Sequence, residues 1–191
     1  MKSIAVLIGS LRRESVNRNL AKALEKLGAS EFEFVYADLA NLPHYNDDLW
    51  AHPPESVLLL KQQIANADGV LMVTPEYNRS IPGVLKDAID WASRPYGKSA
   101  WVEKPTSIIG TTPGAVGTAV AQSQLRSIMV TQQVILMGQP EIYFVAKPGV
   151  INENFEVTDD QTREFLEGYL AKFSRWVDRF GSHHARAIAA E

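Results

Sequence analysis

The feature that most constrains this chain is an alternation: short, uninterrupted apolar runs, each followed by a polar or glycine-bearing turn and then by a segment with helical spacing. Ile4 to Ile8, Gly69 to Val73 and Thr106 to Ile109 are such runs. A strand that is apolar at every position has no face to give to water, so it belongs in a sheet covered on both sides. After the first run, Val16, Leu20, Leu24 and Leu27 recur at spacings of four, four and three, with Lys22 and Lys26 opposite. This is an amphipathic helix, closed by Gly28. Phe32 to Tyr36 reads as a shorter strand, about Glu55 to Ala67 as a helix, and IPGVLKDAIDWA as another, with Pro82 in its first turn where a missing N–H is harmless. A helix to about Val130 follows GTTPGAVG, and a fifth strand lies within VILMGQPEIYFV. The last helix is expected to start at Thr158, with Gln161 three residues on, and to bury Phe165, Tyr169, Phe173, Trp176 and Phe180.

Five strands alternating with helices predict a three-layer α/β fold around a parallel sheet, with strand order 2-1-3-4-5. That order sets the carboxyl ends of the first, third and fourth strands side by side, so three unusual loops meet: GSLRRESVN, TPEYNRS and GTTPGAVG. At 191 residues and 46% hydrophobic content, one domain is expected over residues 1–180. Residues 181–191, GSHHARAIAAE, read as a disordered tail whose His183 and His184 lack suitably spaced carboxylates for a metal site.

Composition removes several function classes. A net charge of −3 with scattered basic residues argues against nucleic acid. No apolar run approaches the length of about 18 residues needed to cross a bilayer, and the start lacks a signal-peptide pattern, so no membrane insertion and a cytoplasmic location are expected. With no cysteine, disulfides, thiolate metal sites and CxxC chemistry are absent. Any redox chemistry therefore needs a bound cofactor.

In the first loop, Ser10, Ser15 and Asn17 are short hydrogen-bonding side chains, and Arg12 can grip a phosphate with two N–H groups. They stand where a helix begins, and the first helical amides are unpaired and partially positive. Neither GxGxxG nor GxxxxGK[ST] is present, so a terminal phosphate monoester fits better than a dinucleotide or a triphosphate. An equally simple reading makes Ser15 or Asn17 a helix cap and leaves the arginines in water. In the second loop, Pro75 stiffens the turn so that the amides of Glu76, Tyr77 and Asn78 can face a planar heterocycle. The plain alternative is a rigid turn in which Tyr77 covers the sheet end. In the third, Gly110, Gly114 and Gly117 permit close approach and Thr111 and Thr112 offer hydroxyls, although glycine-rich turns also arise for conformational reasons alone. Convergence of all three favours a ligand.

GSLRRESVNRNLA, VTPEYNRSIPGVLKDAIDW and GTTPGAVGTA, in that order, resemble the NADPH-dependent FMN reductase family, which includes bacterial quinone and chromate reductases, over roughly residues 1 to 180. The resemblance implies a flavodoxin-like fold that binds FMN without covalent attachment. It places the phosphate at Ser10, Arg12, Ser15 and Asn17 and the isoalloxazine along Pro75, Glu76, Tyr77 and Asn78, with Thr111, Gly114 and Gly117 as further contacts. It further implies NADPH or NADH as co-substrate and a hydride passed through the flavin to a small-molecule acceptor such as a quinone, a free flavin or chromate. No catalytic side chain and no metal are required of the protein. A homodimer or homotetramer is implied too, with Tyr45 and Asp48 reaching a partner's site; Glu14 is given no role. The alternative is a flavodoxin-like electron carrier, which would be more acidic at this length.

Overall fold

The computed structural model describes residues 1–181. The expected tail therefore lies, apart from Gly181, outside the described residues, as do His183 and His184. The central sheet is parallel, in the order β2 (Phe32–Tyr36), β1 (Lys2–Ile8), β3 (Gly69–Val73), β4 (Pro105–Thr112) and β5 (Ile135–Leu136). The flanking helices are α1 (Val16–Leu27), α2 (Glu55–Asn66), α3 (Gly83–Ala92), α4 (Ala119–Thr131) and α5 (Asp160–Phe180).

The apolar runs are doubly buried because alternate side chains enter two separate cores. Ile4 and Val6 of β1, with Leu71 and Val73 of β3, pack under α1 and α5. Ala5, Leu7, Val70 and Met72 pack on the other face, against side chains of α2, α3 and α4. Burial at about 25 cal/mol per Å² on both faces holds the central strands in place. The register then fixes the site: Ile8 pairs with Val73 and Val73 with Ile109, and the ladder continues through Gly9 N–H to Val73 O and Thr74 N–H to Ile109 O, both 2.9 Å. Hence the three loops leave the sheet at one level.

Two expectations are corrected. VILMGQPEIYFV does not make one strand: β5 pairs with the start of β4 (Pro105, Thr106), and β6 (Tyr143–Val145) pairs with its end (Gly110 to Thr112). The sheet thus has six strands, because Pro140 has no N–H to give a ladder and the segment around it leaves the sheet and returns. The last helix starts one residue later than read, since Asp159 is its cap and accepts from Thr162 N–H at 2.8 Å, while the Thr158 hydroxyl donates to Gly149 O. Its buried face is Leu166, Tyr169, Leu170, Phe173 and Val177, leaving Phe165 half exposed. Tyr169 and Phe173 are buried as read and Trp176 packs partly buried against the core; the spacing misled at Phe165, where Leu166 and Leu170 carry the stripe.

Candidate functional site

Gly9 directly follows β1, where a Cβ would lie 2.9 Å from Pro82 and 3.1 Å from Pro75. Its missing side chain lets the first loop press against the second. Ser15 caps α1 by accepting from Arg18 N–H (3.3 Å), so the capping role holds and its own hydroxyl proton is still available to another acceptor. Ser10 is buried and accepts from the Tyr77 hydroxyl (3.3 Å), latching the first two loops together. Arg12 is 72% exposed and pairs loosely with Glu14 at 3.6 Å.

Asn17 has a structural role that the sequence reading did not assign. Its carboxamide donates to Thr111 O and accepts from Thr111 N–H, both at 2.9 Å. Strand β3 pairs with β4 only as far as Ile109, so Asn17 acts as a strand substitute for the next peptide. Its side chain is a clamp that still keeps its second Nδ2 proton for an anion, alongside its backbone N–H in the first turn of α1.

The second loop is a tight hairpin turn. Tyr77 and Ser80 exchange backbone hydrogen bonds of 3.0 Å, with Asn78 (φ 52°) and Arg79 (φ 61°) both in the left-handed region. The Tyr77 amide is thus engaged by its own turn and is not displayed as expected. The amides of Glu76 and Asn78 have no protein acceptor among the described residues. The Glu76 carboxylate is also committed: it accepts from Val120 and Ala121 N–H (3.1 and 3.2 Å) at the start of α4 and pairs with Arg79 at 3.2 Å. A carboxylate at a helix start answers the orphan amides and the dipole, in place of the cap that Thr118 does not supply. Ser80 and Arg79 O are held by Gln124 of the same helix (2.8 and 2.9 Å).

In the third loop two of the three glycines serve the protein itself. A Cβ on Gly110 would stand 2.2 Å from Thr74 O and 2.4 Å from Thr118 Oγ1, and one on Gly117 (φ +60°) would stand 2.6 Å from Tyr143 O. A Cβ on Gly114 would make only ordinary contact, 3.7 Å from Thr112 Oγ1. Thr111 is fully buried and its Oγ1 has no partner among the described residues.

A cavity of about 180 Å³ lies where the loops meet. It is lined by Ser10, Arg12, Ser15 and Asn17 from the first loop, Pro75, Glu76 and Tyr77 from the second, and Thr111 from the third. Asn78, Gly114 and Gly117 are not in its wall. Glu14 and Pro113 are, and the sequence reading assigned them nothing; a proline directly after the paired threonines was the available signal for the latter. Tyr45 and Asp48 stand apart, on an exposed loop where Asp87 accepts from Tyr45 N–H (3.0 Å) and Asn46 from Asp48 N–H (3.0 Å).

The sequence profile described as NADPH-dependent FMN reductase matches residues 2–148. The chain belongs to the NADPH-dependent FMN reductase family. Among members and relatives, a 2-hydroxy-1,4-benzoquinone reductase of a Burkholderia species is 50% identical over 174 residues, covering 91% of this chain and 95% of that one. A quinone reductase of Pseudomonas putida is 42% identical over 176 residues, covering 92% and 94%. The solved structure of FerB, a flavoenzyme NAD(P)H:acceptor oxidoreductase from Paracoccus denitrificans, superposes with a TM-score of 0.92 at 46% identity, covering 94% of this chain and 99% of that one. The flavodoxin-like fold is therefore that of an FMN reductase, and the three-loop cavity sits at the sheet's topological switch point, where such folds bind ligands. Among the described residues no helix is long and apolar enough to cross a membrane.

Proposed function

We propose that the three-loop cavity seats FMN and that the protein oxidises NAD(P)H with quinones as acceptors. The observation that carries this is a set of buried donors with unmet capacity at the start of α1: Ser10 and Ser15 each accept one hydrogen bond and keep a proton to give. The unpartnered Thr111 Oγ1 adds a third group in the same wall, and an orphaned buried hydroxyl costs about 1–3 kcal/mol until something meets it. A phosphomonoester brings a charge of about −1.5 to −2, against roughly +0.5 from a helix start. Arg12 supplies the rest by turning from Glu14 toward the phosphate. In the second loop, the free amides of Glu76 and Asn78 form the edge against which the ring's pyrimidine would lie, and donors there favour negative charge arriving on the ring.

Bound FMN supplies two-electron hydride chemistry, while the chain supplies placement and needs no acid, base or nucleophile of its own. NAD(P)H and then the acceptor use one open face in turn. Quinones are the acceptors that the relatives' names support; free flavins and chromate would be reduced by the same route. The electron-carrier alternative is disfavoured by a net charge of only −3. Reliance on NAD(P)H suits a cytoplasmic location. The exposed loop bearing Tyr45 and Asp48 is the surface offered for a homodimer or homotetramer.

The absorption spectrum of the purified protein is the direct test: a yellow preparation that bleaches with NADPH under nitrogen and recovers colour with a quinone is expected. Removing both Arg12 and Ser15 side chains (R12A/S15A) should strip flavin during gel filtration. Colourless protein that refuses reconstitution with FMN overturns the proposal, and flavin that is never reduced in steady state by NAD(P)H returns the carrier reading.

A further inference from the structure

A second cavity, of about 400 Å³, adjoins the first on the β2 side of the sheet. Ser10 lines both. The rest of its wall includes Leu11, Arg18, Lys22, Tyr36 and Asp38. Most of the charge there is already engaged. Lys22 Nζ lies 2.8 Å from Glu25 and 4.1 Å from the centre of the Tyr36 ring, and the Tyr36 hydroxyl donates to the same Glu25 at 2.9 Å. This closed, neutral set stiffens one wall and leaves its aromatic ring in place. Asp38 accepts from Ala40 N–H (3.0 Å) and Asn41 Nδ2 (2.6 Å), shaping its own turn. Arg18, in contrast, makes no ion pair or side-chain hydrogen bond among the described residues.

Building on the FMN reading above, we propose that this second cavity takes the adenosine-phosphate arm of the pyridine nucleotide, with Arg18 gripping a phosphate. Three observations converge on it. With FMN seated as proposed, its phosphate would be held by Ser10 and Ser15, and the nicotinamide would lie on a ring held by the second and third loops. A dinucleotide laid along FMN then runs past Ser10, which lines both this cavity and the first. The volume falls in the usual range for small-molecule sites, about 300 to 1,000 Å³. The chemistry of the wall also suits: an unengaged guanidinium for phosphate, leucine and an aromatic ring for a purine, and the spare lone pairs of Asp38 for sugar hydroxyls. At the carboxyl end of the strand beside the nucleotide, a carboxylate is well placed for a ribose.

Arg18→Ala separates this role from the flavin site, because the backbone N–H that Ser15 accepts is unchanged. Holoenzyme kinetics are measured with NADPH, NADH and N-benzyl-1,4-dihydronicotinamide, a hydride donor without phosphate or adenosine. We expect KM for dinucleotide to rise roughly tenfold, the loss of one charge-assisted contact, with kcat, flavin content and KM for the benzyl compound unchanged, and partial recovery in Arg18→Lys. A rise confined to NADPH assigns Arg18 to the 2′-phosphate; a rise with both coenzymes assigns it to the pyrophosphate. Calorimetric titration of the holoenzyme with ADP and with 2′-AMP should show binding weakened in R18A by a similar factor for the matching compound. Unchanged KM for both dinucleotides, or an equal rise for the benzyl compound, overturns the proposal. Failure of the wild-type protein to oxidise even the benzyl compound sinks the flavin reading instead, and the calorimetric arm then still decides the role of Arg18.

Discussion

Asn17→Ala tests whether the first loop's asparagine is a ligand or a clamp. The native side chain satisfies both polar groups of the Thr111 peptide at 2.9 Å, and both residues are buried. Truncation orphans two backbone groups, each costing about 1–3 kcal/mol. The adjoining cavity of about 180 Å³ admits water to one side of the gap, which places the total near the low end, at ~2–3 kcal/mol. For a protein of this size, with a urea m-value of roughly 2–3 kcal/mol/M, the midpoint should fall by about 1 M. The measurement is urea unfolding of the flavin-free protein, followed by circular dichroism, beside FMN affinity by fluorescence quenching. Asn17→Asp should give no rescue, since its carboxylate still accepts from Thr111 N–H but sets a second oxygen against Thr111 O at a buried position. A midpoint within 0.2 M of wild type, together with weakened FMN binding, would refute the clamp and restore a purely ligand-directed role.

Gly110→Ala should destabilise the protein by at least ~1–3 kcal/mol or block folding, because the new methyl meets Thr74 O at 2.2 Å, whereas Gly114→Ala should be nearly silent; parallel thermal melts compare them. Glu76→Ala removes the carboxylate from the start of α4 and should cost ~1–2 kcal/mol in urea unfolding, while an unchanged midpoint would show that α4 does not need this cap. Lys104 is buried and donates to Ala65 O and Ala67 O (both 2.7 Å), and burial pulls its ammonium from the ordinary 10.5 down to about 8. In the unfolded chain it holds its proton to higher pH, so the penalty is complete below pH 8 and fades as pH rises toward 10. Unfolding free energy should therefore climb over that window and climb less in Lys104→Met; a wild-type profile that falls or stays flat from pH 8 to 10 contradicts this.

The order of the elements was legible because each doubly buried strand leaves a continuous apolar run, and because Val16, Leu20, Leu24 and Leu27 mark their helix without competition. The cavity's address was legible too, from strand order alone. Hidden were the links that join residues far apart in the chain: Asn17 to Thr111, Glu76 to the first turn of α4, Gly110 to Thr118. Asparagine and glutamate near a turn look alike whether they face a ligand or a backbone 45 or 94 residues away. Ser15 was readable as a cap by position, and it is one. VILMGQPEIYFV hid its division because apolar residues flank the break on both sides, so periodicity cannot tell one strand from two. Phe165 shows the opposite error, in which large aromatic residues outweighed Leu166 and Leu170.

The division of the last sheet edge into strands of two and three residues also bears on how the protein behaves at high concentration. An open edge is a template on which another chain can add itself, and the hazard grows with the length of unpaired backbone it presents. Here one border is interrupted before a foreign strand could dock along it. The opposite border is only five residues long and carries an exposed Glu33. The detour around Pro140 thus doubles as a guard against fibrous self-association, leaving the protein free to present its loop surfaces to other molecules.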